Sequence, residues 1–405
     1  MSFLAYPATA YQKKLVALAA ELADTFATRA AADEWEGHFH LENFADLRRA
    51  GYLTLTVPRE LGGQGASLLD VTLAQQRLAQ GDASTALVAS MHLTHVARLA
   101  EGRTEYSELF KRVCRAIVEE GAMLNSAVSE PATGSPSRGG RPTTTARRQP
   151  DGSWRITGRK TFTTGSYALS YFIVGCSVED EAKGAANLKP LKGDRGNFVV
   201  PRDSAGLRIE DTWHTMSMRG TASNDLLLDD VHVGPEAYVE EQIPLLPAVK
   251  DRLGAWALST VAVYMGIAEA ARSEALRFAR QRRPNSLNQP ISSVPHIQEK
   301  AAKMELALLQ SRAMLFDVAE RFSTDPDSVP ASMYGAVKYL VTNHALEVVD
   351  LAMRMVGAAS LSLSSPLQRY YRDVRAGLHN PPMDDATITL LGKQALEVAE
   401  EKEAR

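Results

Sequence analysis

The spacing of apolar residues changes period twice along this 405-residue chain, and that change constrains the fold more than any single motif. Up to about residue 120, apolar side chains recur at helical spacing, as at Leu15, Leu18 and Leu22 and again at Leu73, Leu78, Leu87 and Val88. The tract VPRELGGQGA (57–66) interrupts them, and its glycines predict one shaped loop within a helical bundle. From about 121 to 240 the pattern becomes short β-branched and aromatic runs parted by Gly, Pro, Asp and Ser, which predicts strands. Within them, the polar stretch 179–196 predicts an excursion between strands. From about 241 helical spacing returns, with Ala302, Leu306, Leu309 and Ala313 marking one helix and Val337, Leu340, Val341 and Leu346 another. Helices, then strands, then helices predict a layered α+β chain with domains at 1–120, 121–240 and 241–405, not an alternating βαβ fold.

Charge and cysteine content narrow the function classes. Forty-five Lys and Arg against 48 Asp and Glu leave a net charge of −3, without the basic surplus that a nucleic-acid partner requires. Cys114 and Cys176 read as free thiols in a reducing compartment, and the first residues do not read as a secretory signal. The uncharged stretch Leu253–Ala268 is short for a bilayer and reads as a buried helix. The expectation is therefore a cytoplasmic protein with no membrane partner. His92 and His95 share a helix face, but no carboxylate or cysteine nearby completes a metal site, so no metal is expected. A GxxxxGK[ST] loop, a GxGxxG after a strand and a GxSxG elbow are all missing, which removes support for nucleotide kinases, Rossmann dehydrogenases and hydrolases.

The tract SAVSEPATGSPS (126–137) combines hydroxyls and small residues where the strands begin. Such a tract lets a flat ligand approach the backbone and offers hydrogen bonds to its edge, although an ordinary turn would look the same. Six further segments accompany it in order: VPRELGGQG, ITGRKTFTTGS, MSMRGTASNDLLLDDVHV, RFARQRR, MRMVGAASL and RYYRDVRA. Together they resemble the acyl-CoA dehydrogenase superfamily over nearly the whole chain. The resemblance implies N-terminal helices, a central β domain and a C-terminal four-helix bundle. It also implies bound FAD, FAD-dependent α,β-desaturation of an acyl-CoA-like thioester, an electron-transfer flavoprotein or oxygen as electron acceptor, and a homotetramer. By the same resemblance Ser129 contacts the flavin, Phe162 shields its ring, and Thr164, beside Thr163, hydrogen-bonds flavin N5. Arg282, Gly357 and Ala358 fall where the family meets a cofactor diphosphate. Ser135, Arg252 and His92 are candidate substrate contacts.

One departure is decisive for chemistry. Desaturation needs a carboxylate that removes the α-proton, and the position that resembles the family's base is Pro381, followed by Pro382. Three acids could replace it: Asp251, before Arg252 at a site where some relatives carry Glu-Arg, and Asp384 or Asp385 beyond the prolines. Alternatively, the chain resembles the flavin monooxygenases of the same superfamily, similar to dibenzothiophene monooxygenase. They lack the base and use reduced flavin (FMN in that case) with oxygen. His379, in GLHNPP, and His92 would then be candidates for delivering a proton. A third reading is a flavin-binding homologue without catalysis.

Overall fold

The computed structural model describes residues 6–32, 37–133, 139–180 and 193–403. Its N-terminal part contains α1 (Ala10–Ala32), α2 (Leu41–Arg49), α3 (Leu68–Ala79), α4 (Ala83–Ala100) and α5 (Glu108–Glu120). Local sequence sets the helix starts. Ser67 and Asp70 form a reciprocal capping box on α3, and Asp82 and Ser107 accept first-turn N–H groups of α4 and α5. Between α2 and α3 the glycine tract folds back on itself, with N–H groups of Gly63, Gly65 and Ala66 donating to Pro58, Val57 and Leu55 carbonyls. A side chain at Gly63 would place Cβ 2.1 Å from the Val57 carbonyl oxygen, so only glycine fits that close approach.

The strands are β1 (Leu124–Ala127), β2 (Thr145–Arg148), β3 (Trp154–Lys160), β4 (Tyr171–Asp180), β5 (Arg195–Pro201), β6 (Leu207–Glu210) and β7 (Asp225–Val233), forming one seven-stranded sheet. β5 pairs antiparallel with residues 171–177 of β4. β1 and β2 lie parallel to β4, pairing with 171–174 and 177–180, so they follow one another along its other edge. Residues 128–133, which follow β1, leave the sheet beside the gap between them. Antiparallel β3, β7 and β6 continue beyond β2.

The remaining helices are α6 (Val239–Gln242), α7 (Leu258–Gln281), α8 (Pro295–Thr324), α9 (Ala331–Val356), α10 (Pro366–Asp373) and α11 (Asp384–Glu403). α7 is the central element. Its first half, including Val261, Val263, Tyr264, Met265 and Ile267, is buried on all sides because α3, α4, α8 and α9 surround it. Arg252–Gln281 is the one segment among the described residues with the length and apolarity to cross a membrane, and 83% of its apolar window is buried inside the protein. One expected stripe faces the wrong way. α8 forms as predicted, but Ala302, Leu306 and Ala313 are exposed, while Met304, Ala307, Leu308 and Ser311 make the packed face. The helix carries apolar residues on both sides, so spacing alone could not choose between them.

Candidate active site

The tract beyond β1 is anchored by a buried ion pair that its own sequence supplies. Glu130 and Lys160 are both fully enclosed, with Nζ 2.5 Å from Oε1. Glu130 also accepts from the Thr143 N–H and hydroxyl, each at 2.6 Å, and from the Thr144 N–H at 3.0 Å. Burial alone would raise the carboxyl's pKa, but these donors outweigh it and hold it down at about 2. Removing one partner of such a pair strands a buried charge, at a cost of about 3–5 kcal/mol. Two further bonds tie the tract to the end of β3: Thr161 N–H donates to the Ser129 carbonyl at 2.9 Å, and the Asn125 amide donates to the Thr164 carbonyl at 2.9 Å.

That frame presents an aromatic wall. Phe162 leaves β3 with φ +55° and is 62% exposed, its ring meeting Trp213 edge-on at 5.8 Å. Left-handed backbone is unfavourable for a bulky residue, and Met218 (φ +51°) and Ala222 (φ +42°) repeat the strain on the facing loop. Strained backbone of this kind clusters at ligand sites, which makes the exposed Phe162 ring a candidate binding surface. Next to it, Thr163 is buried with an unpartnered hydroxyl. The half-buried Thr164 hydroxyl lies 2.9 Å from Ser223 Oγ, which lies 2.7 Å from Thr221 Oγ1.

The structure thus brings Ser129, Phe162, Thr163 and Thr164 together. Arg282 ends α7 and Gly357 ends α9, and both are exposed. Gly357, at φ +73° with open space around it, borders a cavity of about 620 Å³ with Ala358, Leu361, Leu363 and Tyr371. Ser135 lies outside the described residues.

The candidate catalytic groups are not gathered there. Asp251 and Arg252 are not on the first bundle helix: α7 begins at Leu258, after a tight turn spanning Arg252–Ala257, and Asp251 is exposed. Arg252 instead forms a two-pronged ion pair with Asp327. Asp384 accepts from buried Lys338 at 2.8 Å and from Asn343 at 3.0 Å, which commits it to tying α11 to α9. Asp385 and His379 are exposed, Asp385 in the first turn of α11. His92 is fully buried. The Leu124 N–H donates to its Nδ1 at 3.2 Å, so Nε2 carries the hydrogen and donates to the Leu53 carbonyl at 2.9 Å. With both ring nitrogens taken by backbone, His92 pins α4 to β1 and to the turn at Leu53, which leaves neither nitrogen for a ligand.

Several residues escaped the sequence reading. Trp213, Thr221 and Ser223 complete the wall and its hydroxyl chain. The last two stand in the RGTASND segment, where their alternation was the available signal. Asp373, in the RYYRDVRA run, accepts from the Met218 N–H at 2.6 Å, and burial raises its pKa to about 6. Glu101 accepts from the Trp256 indole at 2.9 Å and borders a cavity of about 350 Å³ beside the glycine tract.

An apolar wall with hydroxyls at its edge is the donor set a flavin ring needs, since that ring has apolar faces and a rim of hydrogen-bonding atoms. Known proteins match most of the chain. Residues 9–106, 125–231 and 246–378 match the N-terminal, middle and C-terminal domains of acyl-CoA dehydrogenases. The chain belongs to the acyl-CoA dehydrogenase family. It is 47% identical to YdbM of Bacillus subtilis, named as a putative acyl-CoA dehydrogenase, over 93% of this chain and 95% of that one. It is 31% identical to the amino sugar nitrososynthase RubN8 of Streptomyces rubradiris, over 91% and 86%. Among solved structures, KijD3 with FMN and a dTDP-linked amino sugar superposes with a TM-score of 0.81 at 26% identity, over 97% and 95%. Relatives of this fold bind FAD or FMN. The protein is a flavin-dependent oxidoreductase of that family.

Proposed function

We propose that the protein is a flavin-dependent monooxygenase acting on a small molecule with a nucleophilic nitrogen or sulfur centre. The observation that carries this reading is Pro381 at the place of the family's proton-abstracting carboxylate, with none of the three substitute acids turned to the task. Asp384 is held by Lys338, while Asp251 and Asp385 are exposed. Likeness to the nitrososynthases supports it. When bound in its reduced form, the flavin would supply two electrons to dioxygen, with one oxygen atom going to substrate and the other leaving as water. The chain's own residues would do the rest. Phe162 and Trp213 would cover the ring, Thr164 would hold its edge, and Ser129 would contact its pyrimidine side. The experiment is turnover with isotopically labelled dioxygen, a flavin reductase, and a panel of amino sugars and organic sulfur compounds. One labelled oxygen in a product is expected. Absence of label from every product, with flavin bound, overturns the reading.

A second reading, desaturation of an acyl thioester, is favoured by the likeness to YdbM and by one observation, the Glu101 carboxylate beside the start of α7. Flavin bleaching by an acyl-CoA that is lost in Glu101→Gln would support it.

A further inference from the structure

We propose that Thr164 offers the flavin edge a lone pair and not a proton, so that the site favours a ring N–H donor, the reduced flavin, over the oxidised one. The inference deepens the monooxygenase reading and rests on it for the placement of Thr164 against the cofactor. Ser223 and Thr221 act here as positioning residues.

The polarity follows from counting hydrogens along the chain of hydroxyls, each of which has one to give. Thr221 Oγ1 lies 2.9 Å from the Met218 carbonyl oxygen, which can only accept, so the Thr221 hydrogen is committed there. Ser223 Oγ lies 2.7 Å from Thr221 Oγ1 and must therefore be the donor of that bond. Thr164 Oγ1, 2.9 Å from Ser223 Oγ, must in turn donate to Ser223. What Thr164 retains for a ligand is a lone pair. Reversing the chain would set the Thr221 and Met218 oxygens against each other with no hydrogen between them.

The anchor is itself held from both ends. The Met218 N–H donates to buried Asp373 at 2.6 Å, and the Trp213 indole donates to the Met218 carbonyl at 2.9 Å. Thr221 is 0% and Ser223 4% exposed, so water is excluded from the inner links. Bonds aligned in one direction in such surroundings polarise one another. Oxidised flavin has an accepting N5, which would meet a lone pair. Reduced flavin carries a hydrogen at N5, which Thr164 accepts.

The test is an anaerobic binding measurement on the full chain with FMN and FAD, each oxidised and dithionite-reduced, followed by the midpoint potential of the bound flavin. The parent should bind the reduced form about two- to twelvefold more tightly, the range set by one hydrogen bond of roughly 0.5–1.5 kcal/mol. That ratio raises the bound two-electron potential by about 10–30 mV. Ser223→Ala frees the Thr164 hydrogen to reach oxidised N5, and Thr221→Val removes the anchor. Both should bring the ratio toward one with an unchanged circular dichroism spectrum. Equal or inverted affinities in the parent, or a ratio unmoved by both substitutions, would overturn the proposal. If the ratio behaves as expected but no labelled oxygen reaches a product, the monooxygenase reading fails and the polarity stands. Labelled product together with a parent ratio of one means the reverse.

Discussion

His92 shows how position alone decides what a residue type does. Two histidines three apart suggest a ligand pair or a proton donor, yet enclosure pushes His92 down to about 4, and the neighbouring His95, for the same reason first and then for the nearby Arg98, to about 3. Both stay neutral in the folded protein while their unfolded counterparts take up protons below about 6.5. Stability is therefore full above that pH and declines as pH falls toward 4, with His92 contributing on the order of 3 kcal/mol of the loss. The thermal midpoint of the parent should fall steeply over this interval. His92→Gln, though less stable at pH 7, should show a shallower pH slope, smaller by about one proton taken up on unfolding. Parallel slopes would contradict the assignment.

At the scale of elements, the C-terminal segment is where sequence and structure part most. Asp251 and Asp384 look alike as candidate acids, but one is exposed ahead of α7 and the other binds Lys338, which is only 3% exposed on α9. Asp384→Asn should accordingly destabilise the protein by about 3 kcal/mol, by leaving a buried ammonium without its counter-charge. Asp251→Asn should leave urea denaturation unchanged. Equal effects would show that α11 is not fastened this way. The elements themselves were legible, because period 3.6 and period 2 are local properties: α3, α4, α8, α9 and the strand region all follow from spacing. What α8 buries was not legible, since Leu306 and Leu308 are equally apolar and only the neighbouring helices choose between them. The platform was half legible. Ser129, Phe162 and Thr164 stand in recognisable segments, whereas Trp213, Thr221 and Ser223 reach them only through a loop bent by left-handed residues at Met218 and Ala222.

At the scale of the whole molecule, we propose a dehydrogenase scaffold that has kept its flavin platform and lost its proton-abstracting carboxylate. On that proposal the Glu130–Lys160 pair, the Phe162–Trp213 contact and the Thr164–Ser223 hydroxyl chain would serve cofactor placement, and Pro381 would stand in place of the base. The most direct measurement is an anaerobic titration of the oxidised, flavin-loaded protein with straight- and branched-chain acyl-CoA thioesters, following the visible flavin band. A base is needed for hydride transfer from the thioester, and losing one already lowers the rate by about 10²–10⁴-fold. The band should persist with every thioester over minutes. Prompt bleaching by any of them would show that a base is present and that the account of this site is wrong.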